Sequence, residues 1–420
     1  LPRSALPRTL LAATKLLPAV VLLLFGGCQS NAETAFQVRT ETLATPAGPN
    51  SGEPYLATDG ERIYLSWLEA VDEDLHALRF SEWSGDAWSE PRTIASSDRF
   101  FVNWADFPSF TVGPDGSLWA HYLERGGKGT YDYAVRVVHS VDGGDSWSEP
   151  VTPHHDRSAT EHGFVSTIPT SDGVGFVWLD GRRYSDAEGQ PATHEMTLQY
   201  RHLAADGAHG AETLLDGRVC DCCQTSSTVT DLGPVTVYRD RSAEEIRDIY
   251  ITRQVDGAWT PGVAVHDDGW EIAGCPVNGP AVVARGMDVA VGWFTGAGDV
   301  PRVKVAWSRD GGATFAAPIV VDDGNPAGRV DLLFSDDGTV LVTWLERIGG
   351  DAAEVRIRRV ERDGSSSSSD ALVGSSGARA SGFPRVIPAP GGGALLAWTD
   401  LQSSNPHVRV ARLVVEEQAP

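Results

Sequence analysis

The feature that most constrains the fold is a unit that recurs seven times after residue 50. Each unit contains an alternating apolar strand that ends in an aromatic residue, any residue and usually an acid, as in IYLSWLEA and VLVTWLER. Successive aromatics of this pattern are separated by 51 to 60 residues. They are Trp67, Tyr122, Trp178, Tyr238, Trp293, Trp344 and Trp398. A near-constant period of this length predicts a repeat architecture.

Every unit follows the same order of strand and turn signals. A strand begins near a proline or small residue, a turn rich in Gly or Asp follows, and the strand with the aromatic comes next. A third strand alternates apolar and basic residues, as in YAVRVVHS and HVRVARL, and a short fourth strand ends the unit. Period-two alternation between turn signals is typical of β-strands, and four-stranded units repeated around an axis form a propeller. We therefore predict an all-β, seven-bladed β-propeller.

The two ends of this region predict how the ring closes. The seventh unit has no fourth strand after HVRVARLVV, whereas AFQVRTETLA at residues 35–44 is a strand without a blade. If this N-terminal strand completes the last blade, no sheet edge stays open to pair with other chains. We predict a single propeller domain over residues 35–415, because no blade can bury its faces alone, and a C-terminal tail at 416–420.

The N-terminal residues predict export and a lipid anchor. Residues 1–27 carry basic residues and then a short apolar run, and two glycines precede Cys28. This resembles a bacterial lipoprotein signal, in which Cys28 would be lipidated and residues 28–34 would form a tether. Gln29 at the next position implies the outer membrane, with the lipid as the sole membrane attachment. The alternative is an ordinary secretory signal in which the cysteine is incidental.

The charge of the chain argues against one class of partner. Its formal net charge is -23 at pH 7. An acidic surface repels phosphate backbones, so we expect no nucleic-acid partner.

A second motif occupies two turns that follow third strands. These turns read SVDGGDSW at 140–147 and SRDGGATF at 308–315, and they resemble the Asp-box, or BNR repeat, of the sialidase (neuraminidase) superfamily. Asp142 and Asp310 should accept hydrogen bonds from the backbone of their own turns. The resemblance covers nearly all of residues 35–415 and implies a propeller whose boxes lie opposite the active site.

The same resemblance implies glycan chemistry. Sialidases hold the substrate carboxylate with three arginines, and they use a Tyr–Glu pair as nucleophile and an Asp as acid/base. Those enzymes have six blades and an arginine on the first strand, whereas this chain has seven units and a first strand, SGEPYLA, that contains no arginine. The resemblance therefore implies a glycan ligand but assigns no catalytic residue to a position in this chain.

In such a propeller the second strands and the loops between blades end at one mouth. One interpretation makes this mouth a binding site in which two carboxylates act as acid and base or nucleophile. We favour Asp180 and Asp240, because they flank the cysteine-rich segment and arginine follows each closely. The other interpretation makes the aromatic-x-acid pattern a structural device of every blade. The expected ligand-binding residues are Asp106, Glu124, Arg182, Arg241, Glu271, Arg329, Glu346 and Arg385.

Four cysteines are concentrated in two short segments, GRVCDCCQT at 217–225 and WEIAGCPVNGP at 270–280. These segments join blade three to four and blade four to five, so they should meet at the mouth. One interpretation pairs Cys220 with Cys223 and Cys222 with Cys275 in disulfides, as export permits. A second makes the same four thiols a metal site for Cu(I) or zinc. Thiol–disulfide redox chemistry is the third.

These observations support two functions. The first is a sialidase-like propeller that binds a glycan or glycoconjugate at its mouth and hydrolyses it. The second is a non-enzymatic exported scaffold that binds a protein partner or a metal ion, Cu or Zn, through the cysteine-lined rim.

Overall fold

The computed structural model describes residues 36–186, 191–402 and 405–417. The signal segment 1–27, Cys28 and the tether 28–34 lie outside the described residues, so their assignment stays a prediction. Within the described ranges, no helix is long and apolar enough to cross a membrane.

The described residues form β-strands and three short 3₁₀ helices. The strand before the first blade and the strands of the first two blades are β1 (Phe36–Leu43), β2 (Ser51–Thr58), β3 (Ile63–Ala70), β4 (His76–Trp83), β5 (Arg92–Ser97), β6 (Ser109–Val112), β7 (Leu118–Arg125) and β8 (Tyr133–Ser140). Blades three and four contain β9 (His162–Thr170), β10 (Gly173–Asp180), β11 (Met196–Ala204), β12 (Thr213–Val219), β13 (Ser226–Thr230), β14 (Gly233–Arg239), β15 (Ile249–Val255), β16 (Ala258–Trp259) and β17 (Val263–Ala264). Blades five to seven contain β18 (Ala281–Arg285), β19 (Asp288–Thr295), β20 (Arg302–Ser308), β21 (Ile319–Val320), β22 (Pro326–Phe334), β23 (Val340–Gly349), β24 (Ala352–Val360), β25 (Asp370–Ser376), β26 (Arg385–Pro388), β27 (Ala394–Asp400) and β28 (His407–Glu417). The 3₁₀ helices are Arg182–Tyr184, Ala297–Asp299 and Arg379–Ser381.

Seven antiparallel sheets form the ring, which confirms the predicted seven-bladed propeller. In the last blade the strand order is β1-β28-β27-β26, so the N-terminal strand is the outer strand of the C-terminal unit. The pairing runs from Phe36 opposite Glu417 to Leu43 opposite Val410. The predicted closure is therefore confirmed, and β28 continues two residues past the predicted domain end at 415.

Apolar side chains fill the spaces between neighbouring blades. Tyr64 and Phe80 of blade one lie against Phe110 of blade two, with ring centroids 5.3 and 5.5 Å apart. Trp147, at the end of the first predicted Asp-box, adds an edge contact to Phe80. Other clusters of buried apolar side chains also lie between neighbouring blades, so each blade buries its faces against its two neighbours, as a repeat architecture requires.

The aromatic-x-acid pattern has a structural explanation in three blades. Residues i and i+2 of a strand point to the same face, which places the acid beside the aromatic ring. The indole nitrogen donates a hydrogen bond to that acid in each case. The pairs are Trp67–Glu69 at 3.1 Å, Trp178–Asp180 at 2.8 Å and Trp344–Glu346 at 2.7 Å. Burying an indole N–H is less costly when it has an acceptor, and in these three blades the acid supplies it.

Blade five provides an informative exception, because its second strand has Thr295 in place of the acid. There Trp293 donates to the carboxylate of Asp268, from the loop before the blade, at 2.6 Å. A different acid therefore satisfies the same buried indole, which supports the structural interpretation of the pattern.

Blade two departs from the predicted four strands, because the structure describes three. Only Val151 continues the sheet, through paired backbone hydrogen bonds to Val137 at 2.8 Å. Pro150 and Pro153 flank Val151. Pro153 lies two residues after Val151, at the next position that would pair with β8, and it has no N–H to donate there, so the fourth strand does not continue.

The two predicted Asp-box turns form the expected backbone contacts. Asp142 accepts a hydrogen bond from the Ser146 N–H at 3.0 Å, and Asp310 accepts one from the Thr314 N–H at 2.9 Å. Gly144 has φ of 89°, and a β-carbon there would lie 2.3 Å from Phe80, so glycine is required at this turn.

Candidate functional site

A cavity of about 710 Å³ opens at the mouth of the propeller. Its walls come from loops that join successive blades and from the beginnings of third strands. Several of the lining side chains are aromatic, namely Phe101, Trp104, Tyr131, Tyr133, Phe164 and Tyr184. Below it, a narrower cavity of about 210 Å³ follows the propeller axis, and Asp106 lines both. A concave, largely aromatic pocket with a few polar groups is typical of a ligand site.

Three polar side chains converge at the wall of this cavity. The hydroxyl oxygen of Tyr133 lies 2.5 Å from Oε1 of Glu161 and 2.9 Å from Oδ2 of Asp106. Tyr133 is 2% exposed and Asp106 is 1% exposed, whereas Glu161 is partly exposed. We call these three residues the Tyr133 cluster.

The local backbone explains why the Tyr133 cluster forms. Tyr133 begins β8, and Glu161 pairs with it in a parallel β-bridge just before β9. Oδ1 of Asp106 accepts the N–H of Phe164 at 2.6 Å. A β-carbon on Gly163 would lie 2.0 Å from Oδ2 of Asp106, so glycine at this position makes room for the carboxylate.

Burial favours a protonated carboxyl in the Tyr133 cluster near neutral pH. A phenol has a single O–H, so it can donate to only one of the two carboxylates that contact it. Burial raises the pKa of Glu161 to about 8 and the pKa of Asp106 to about 7. Burial also raises the pKa of Tyr133 well above its usual value, and the two carboxylates raise it further. The cluster can therefore both give and accept a proton.

These pKa shifts predict how folding stability changes with pH. Each carboxyl binds its proton more tightly in the folded chain than in the unfolded chain, where the pKa has its ordinary value of 3.8 for Asp106 or 4.5 for Glu161. Their stabilising contribution is therefore complete below the ordinary values and is lost as pH rises through about 7 and 8. We expect the free energy of unfolding of Glu161→Gln to fall less with rising pH than that of wild type, as measured by urea unfolding at a series of pH values. Glu124→Gln, outside the cavity, is the matched control; equal pH slopes for Glu161→Gln and wild type would contradict the argument.

The cavity is acidic. Its lining includes the carboxylates of Asp106, Glu161 and Asp221 and, among the described residues, one basic side chain, Arg379. Asp221 accepts a hydrogen bond from Tyr184 at 2.5 Å and lies 3.3 Å from Arg241. Such a surface disfavours anionic ligands once Asp106 and Glu161 are ionised.

Neither Asp180 nor Asp240 is among the described residues that line the cavity. Asp180 is fully buried and accepts from Trp178 and, at 2.7 Å, from two nitrogens of Arg182. Asp240 is partly buried, and burial together with the nearby Asp216 carboxylate raises its pKa to about 7. The placement of Asp180 fits a structural acid, and a catalytic role for either residue stays a prediction.

Of the predicted ligand-binding residues, Asp106 alone lies in the Tyr133 cluster. Arg385 lines the axial cavity, and Arg241 contacts Asp221 at the mouth. Glu271 is exposed and lies outside the cavity lining. The others are held by protein partners: Glu124 by Arg136, Arg182 by Asp180 and Glu212, Arg329 by Ser381 and the Ala378 and Gly382 carbonyls, and Glu346 by Trp344 and the Asn325 N–H.

A buried His–Asp group lies beside β10. Asp156, His162 and Asp180 present ligand atoms within 4.8 Å of one another. His162 is 2.9 Å from Asp156, and Arg182 already neutralises Asp180. We therefore interpret this group as an ion-pair network behind the cavity wall.

The cysteine segments meet at the cavity, as predicted. Cys222 and Cys275 both line it, and the sulfurs of Cys220, Cys222 and Cys223 lie within 4.8 Å of one another. The Sγ atoms of Cys220 and Cys223 are 3.1 Å apart, and all four cysteines are free thiols in this structure. The disulfides Cys220–Cys223 and Cys222–Cys275 stay predictions.

The ligand-binding and catalytic residues predicted from the sequence did not include Tyr133 or Glu161. Tyr133 reads as the first residue of an ordinary third strand, and Glu161 lies in a polar loop with three histidines. The available signal was positional, because both residues lie where a strand begins at the mouth.

Comparison with known proteins is informative about the fold alone. No protein-family model matches the chain, and no curated protein matches it. Among solved structures, a Dyadobacter fermentans protein of unknown function is 16% identical, with a TM-score of 0.53 over 90% of this chain and 99% of that one. A Penicillium chrysogenum α-L-arabinanase complexed with arabinobiose is 11% identical, with a TM-score of 0.49 over 90% and 98%. A Trypanosoma rangeli sialidase complexed with the inhibitor DANA is 12% identical, with a TM-score of 0.47 over 77% and 56%.

Proposed function

We propose that this protein binds a glycan in the mouth cavity and hydrolyses a glycosidic bond there. The observation that carries the proposal is the Tyr133 cluster, a tyrosine between two carboxyls at the wall of a cavity with aromatic sides. Aromatic faces bind the apolar faces of sugar rings, and paired carboxyls are the usual groups of glycoside hydrolysis. The sialidase resemblance implies the same residue types, a Tyr–Glu pair and an Asp.

The charge of the cavity supports an uncharged or cationic sugar as the ligand. An anionic sugar needs several free arginines, and among the described residues Arg379 is the one arginine that lines the cavity, whereas Arg329 and Arg385 have protein partners. Arg329 donates to the carbonyls of Ala378 and Gly382, both at 2.9 Å. Arg385 lies 3.5 Å from Asp331 in the axial cavity. In their ionised forms the lining acids Asp106, Glu161 and Asp221 would repel a sugar carboxylate, and this repulsion grows as Asp106 and Glu161 lose their protons near pH 7 and 8.

The reaction we propose uses Tyr133 as the nucleophile. Its oxygen bonds to the anomeric carbon as the bond to the leaving-group oxygen breaks. The phenol proton passes to Glu161, the nearer carboxylate, and Asp106 donates its proton to the leaving group. Because Glu161 has the higher pKa, this reactive form, with the proton on Asp106, is the less populated of the two singly protonated forms of the cluster. Water, deprotonated by Asp106, then attacks the anomeric carbon, and Tyr133 recovers its proton from Glu161. Two substitutions at one carbon retain its configuration.

A panel of uncharged chromogenic glycosides tests this proposal and separates the roles of the two carboxyls. Asp106→Asn should slow substrates with poor leaving groups by about 10²–10⁴-fold and substrates with activated leaving groups far less, since the latter need no acid. Glu161→Gln should slow both classes alike. If wild-type protein binds sugars without turnover, the cavity belongs to a non-enzymatic scaffold, and the hydrolase proposal is wrong.

The same panel yields a pH profile with a defined shape. Turnover needs one carboxyl protonated and the other ionised, so kcat/KM should rise through about 7 and fall through about 8. Glu161→Gln or Asp106→Asn should remove one limb of this bell. A rate that is flat across the range would show that the cluster does not titrate during turnover.

A further inference from the structure

We infer that Cys220, Cys222, Cys223 and Cys275 together bind one soft metal ion at the edge of the mouth cavity. Soft thiolate ligands select zinc or copper(I), and the experiment below separates these two ions. The inference concerns a separate set of atoms from the Tyr133 cluster, so either proposal can fail without the other.

The sulfur atoms converge as a metal site requires. The Sγ atoms of Cys220, Cys222 and Cys223 lie within 4.8 Å of one another. A zinc–sulfur bond of about 2.3 Å places tetrahedral thiolates about 3.8 Å apart, so the sulfurs of Cys220 and Cys223, which are 3.1 Å apart as thiols, would separate slightly to bind the ion. Cys220 and Cys223 also have the C-x-x-C spacing common among zinc ligands. Cys275 is the exposed fourth thiol, and it lines the same cavity wall as Cys222, which places it beside the other three.

Hydrogen bonds hold the two cysteine segments together. The side chain of Gln224, next to Cys223, accepts the N–H of Gly279 at 2.9 Å and donates to the carbonyl of Ala105 at 2.6 Å. A β-carbon on Gly279 would lie 2.0 Å from the carbonyl oxygen of Gln224, so this approach requires glycine. Because the loops are already ordered, binding the ion does not cost the conformational entropy of ordering them.

Buried positive charge compensates the thiolates. Arg247 is buried, and its Nη1 lies 3.4 Å from the sulfur of Cys220. Arg239 is buried behind the same loops and donates to the Asn278 carbonyl at 2.8 and 3.2 Å. A four-thiolate site carries a net negative charge, so neighbouring guanidinium groups make its burial less costly.

The site would also form part of the cavity wall. Cys222 and Cys275 face the same space as Glu161, and Asp221 lies between Cys220 and Cys222 in the chain. One ion bound by both segments would therefore link the loops on the two sides of blade four. We expect a higher Tm for the loaded protein than for the unloaded protein.

The experiment loads full-length, reduced protein anaerobically with Zn²⁺ or with Cu(I), removes excess ion and counts metal per chain. We expect one metal ion per chain. The ion that the other ion fails to displace is the preferred metal. Co²⁺ should give the sulfur-to-cobalt charge-transfer band of a thiolate site. Removing a residue that only hydrogen-bonds to a metal ligand already lowers the affinity for the metal by about 10–100-fold. Cys275→Ser removes a ligand itself, so it should lower the affinity for the metal by on the order of 100-fold or more.

Cys275→Ser is the informative variant because Cys275 is exposed and its replacement should leave the fold intact. Cys28→Ser is the matched control, since it removes the remaining cysteine and should leave the stoichiometry at one. Equal affinity of Cys275→Ser and wild type would overturn the four-thiolate site. The four-thiolate site would also be overturned if protein alkylated at lysis contained two disulfides and bound no metal after those disulfides were reduced.

Discussion

Replacing Tyr133 with phenylalanine is expected to lower kcat/KM for the glycoside substrate by on the order of 10³-fold or more. The change removes the oxygen that we propose as nucleophile and leaves the ring stacked on Phe101, at a centroid distance of 3.9 Å. Sugar affinity should change little, because the aromatic walls remain. The measurement is steady-state turnover combined with calorimetric titration of the sugar.

Tyr131→Phe is the matched control for Tyr133→Phe. Tyr131 also lines the cavity, but it is 64% exposed and lies outside the Tyr133 cluster. Its variant should keep turnover within a few-fold of wild type. If both tyrosine variants kept full activity, the cluster would have no catalytic role, whatever glycan the cavity binds.

Asp180→Asn is expected to lower the free energy of unfolding by about 3 kcal/mol. Asp180 is fully buried, and its carboxylate is bound by Trp178 and, through two nitrogens, by Arg182. An amide presents N–H groups toward the donors of Arg182, so the buried pair loses both its charge and part of its hydrogen bonding. Arg182 keeps its contact with Glu212, which places the expected loss at the lower end for a broken buried pair.

Asp400→Asn is the control for Asp180→Asn, because Asp400 is the corresponding acid of blade seven. Its carboxylate lies 3.5 Å from Arg409, and both side chains are partly exposed. Exposed pairs contribute little, so we expect a loss below about 1 kcal/mol in urea unfolding. Folded Asp180→Asn protein should retain wild-type turnover; a large loss of turnover at unchanged stability would instead restore Asp180 as a catalytic candidate.

The propeller and its closure could be predicted from the sequence because both are encoded locally and repeatedly. Alternation with period two defines each strand, and a near-constant spacing of Trp67 and its six counterparts counts the blades. The seventh unit lacks a fourth strand and the N-terminal strand has no blade of its own, so the simplest arrangement pairs β1 with β28. The prolines beside Val151 show the limit of this reasoning, since blade two lost a strand that the repeat predicted.

The roles of the acids needed the tertiary structure. The sequence showed that an acid follows the aromatic in six units, and it left a structural and a functional interpretation open. The distance from Trp178 to Asp180 favours the structural interpretation, and Asp268 beside Trp293 shows that an acid from another element can supply the acceptor where the strand has none.

By itself the sequence determined the all-β class, the number of blades, the closing strand and the meeting of the two cysteine segments at the mouth. Only the tertiary structure brought Tyr133 to Glu161 and Asp106, which are 28 and 27 residues away in the chain. The physical reason is that strand periodicity specifies which side chains share a face within a blade. The contacts of the Tyr133 cluster are instead made between loop ends across a blade boundary, where a bridge before β9 and the space left by Gly163 decide which side chains touch.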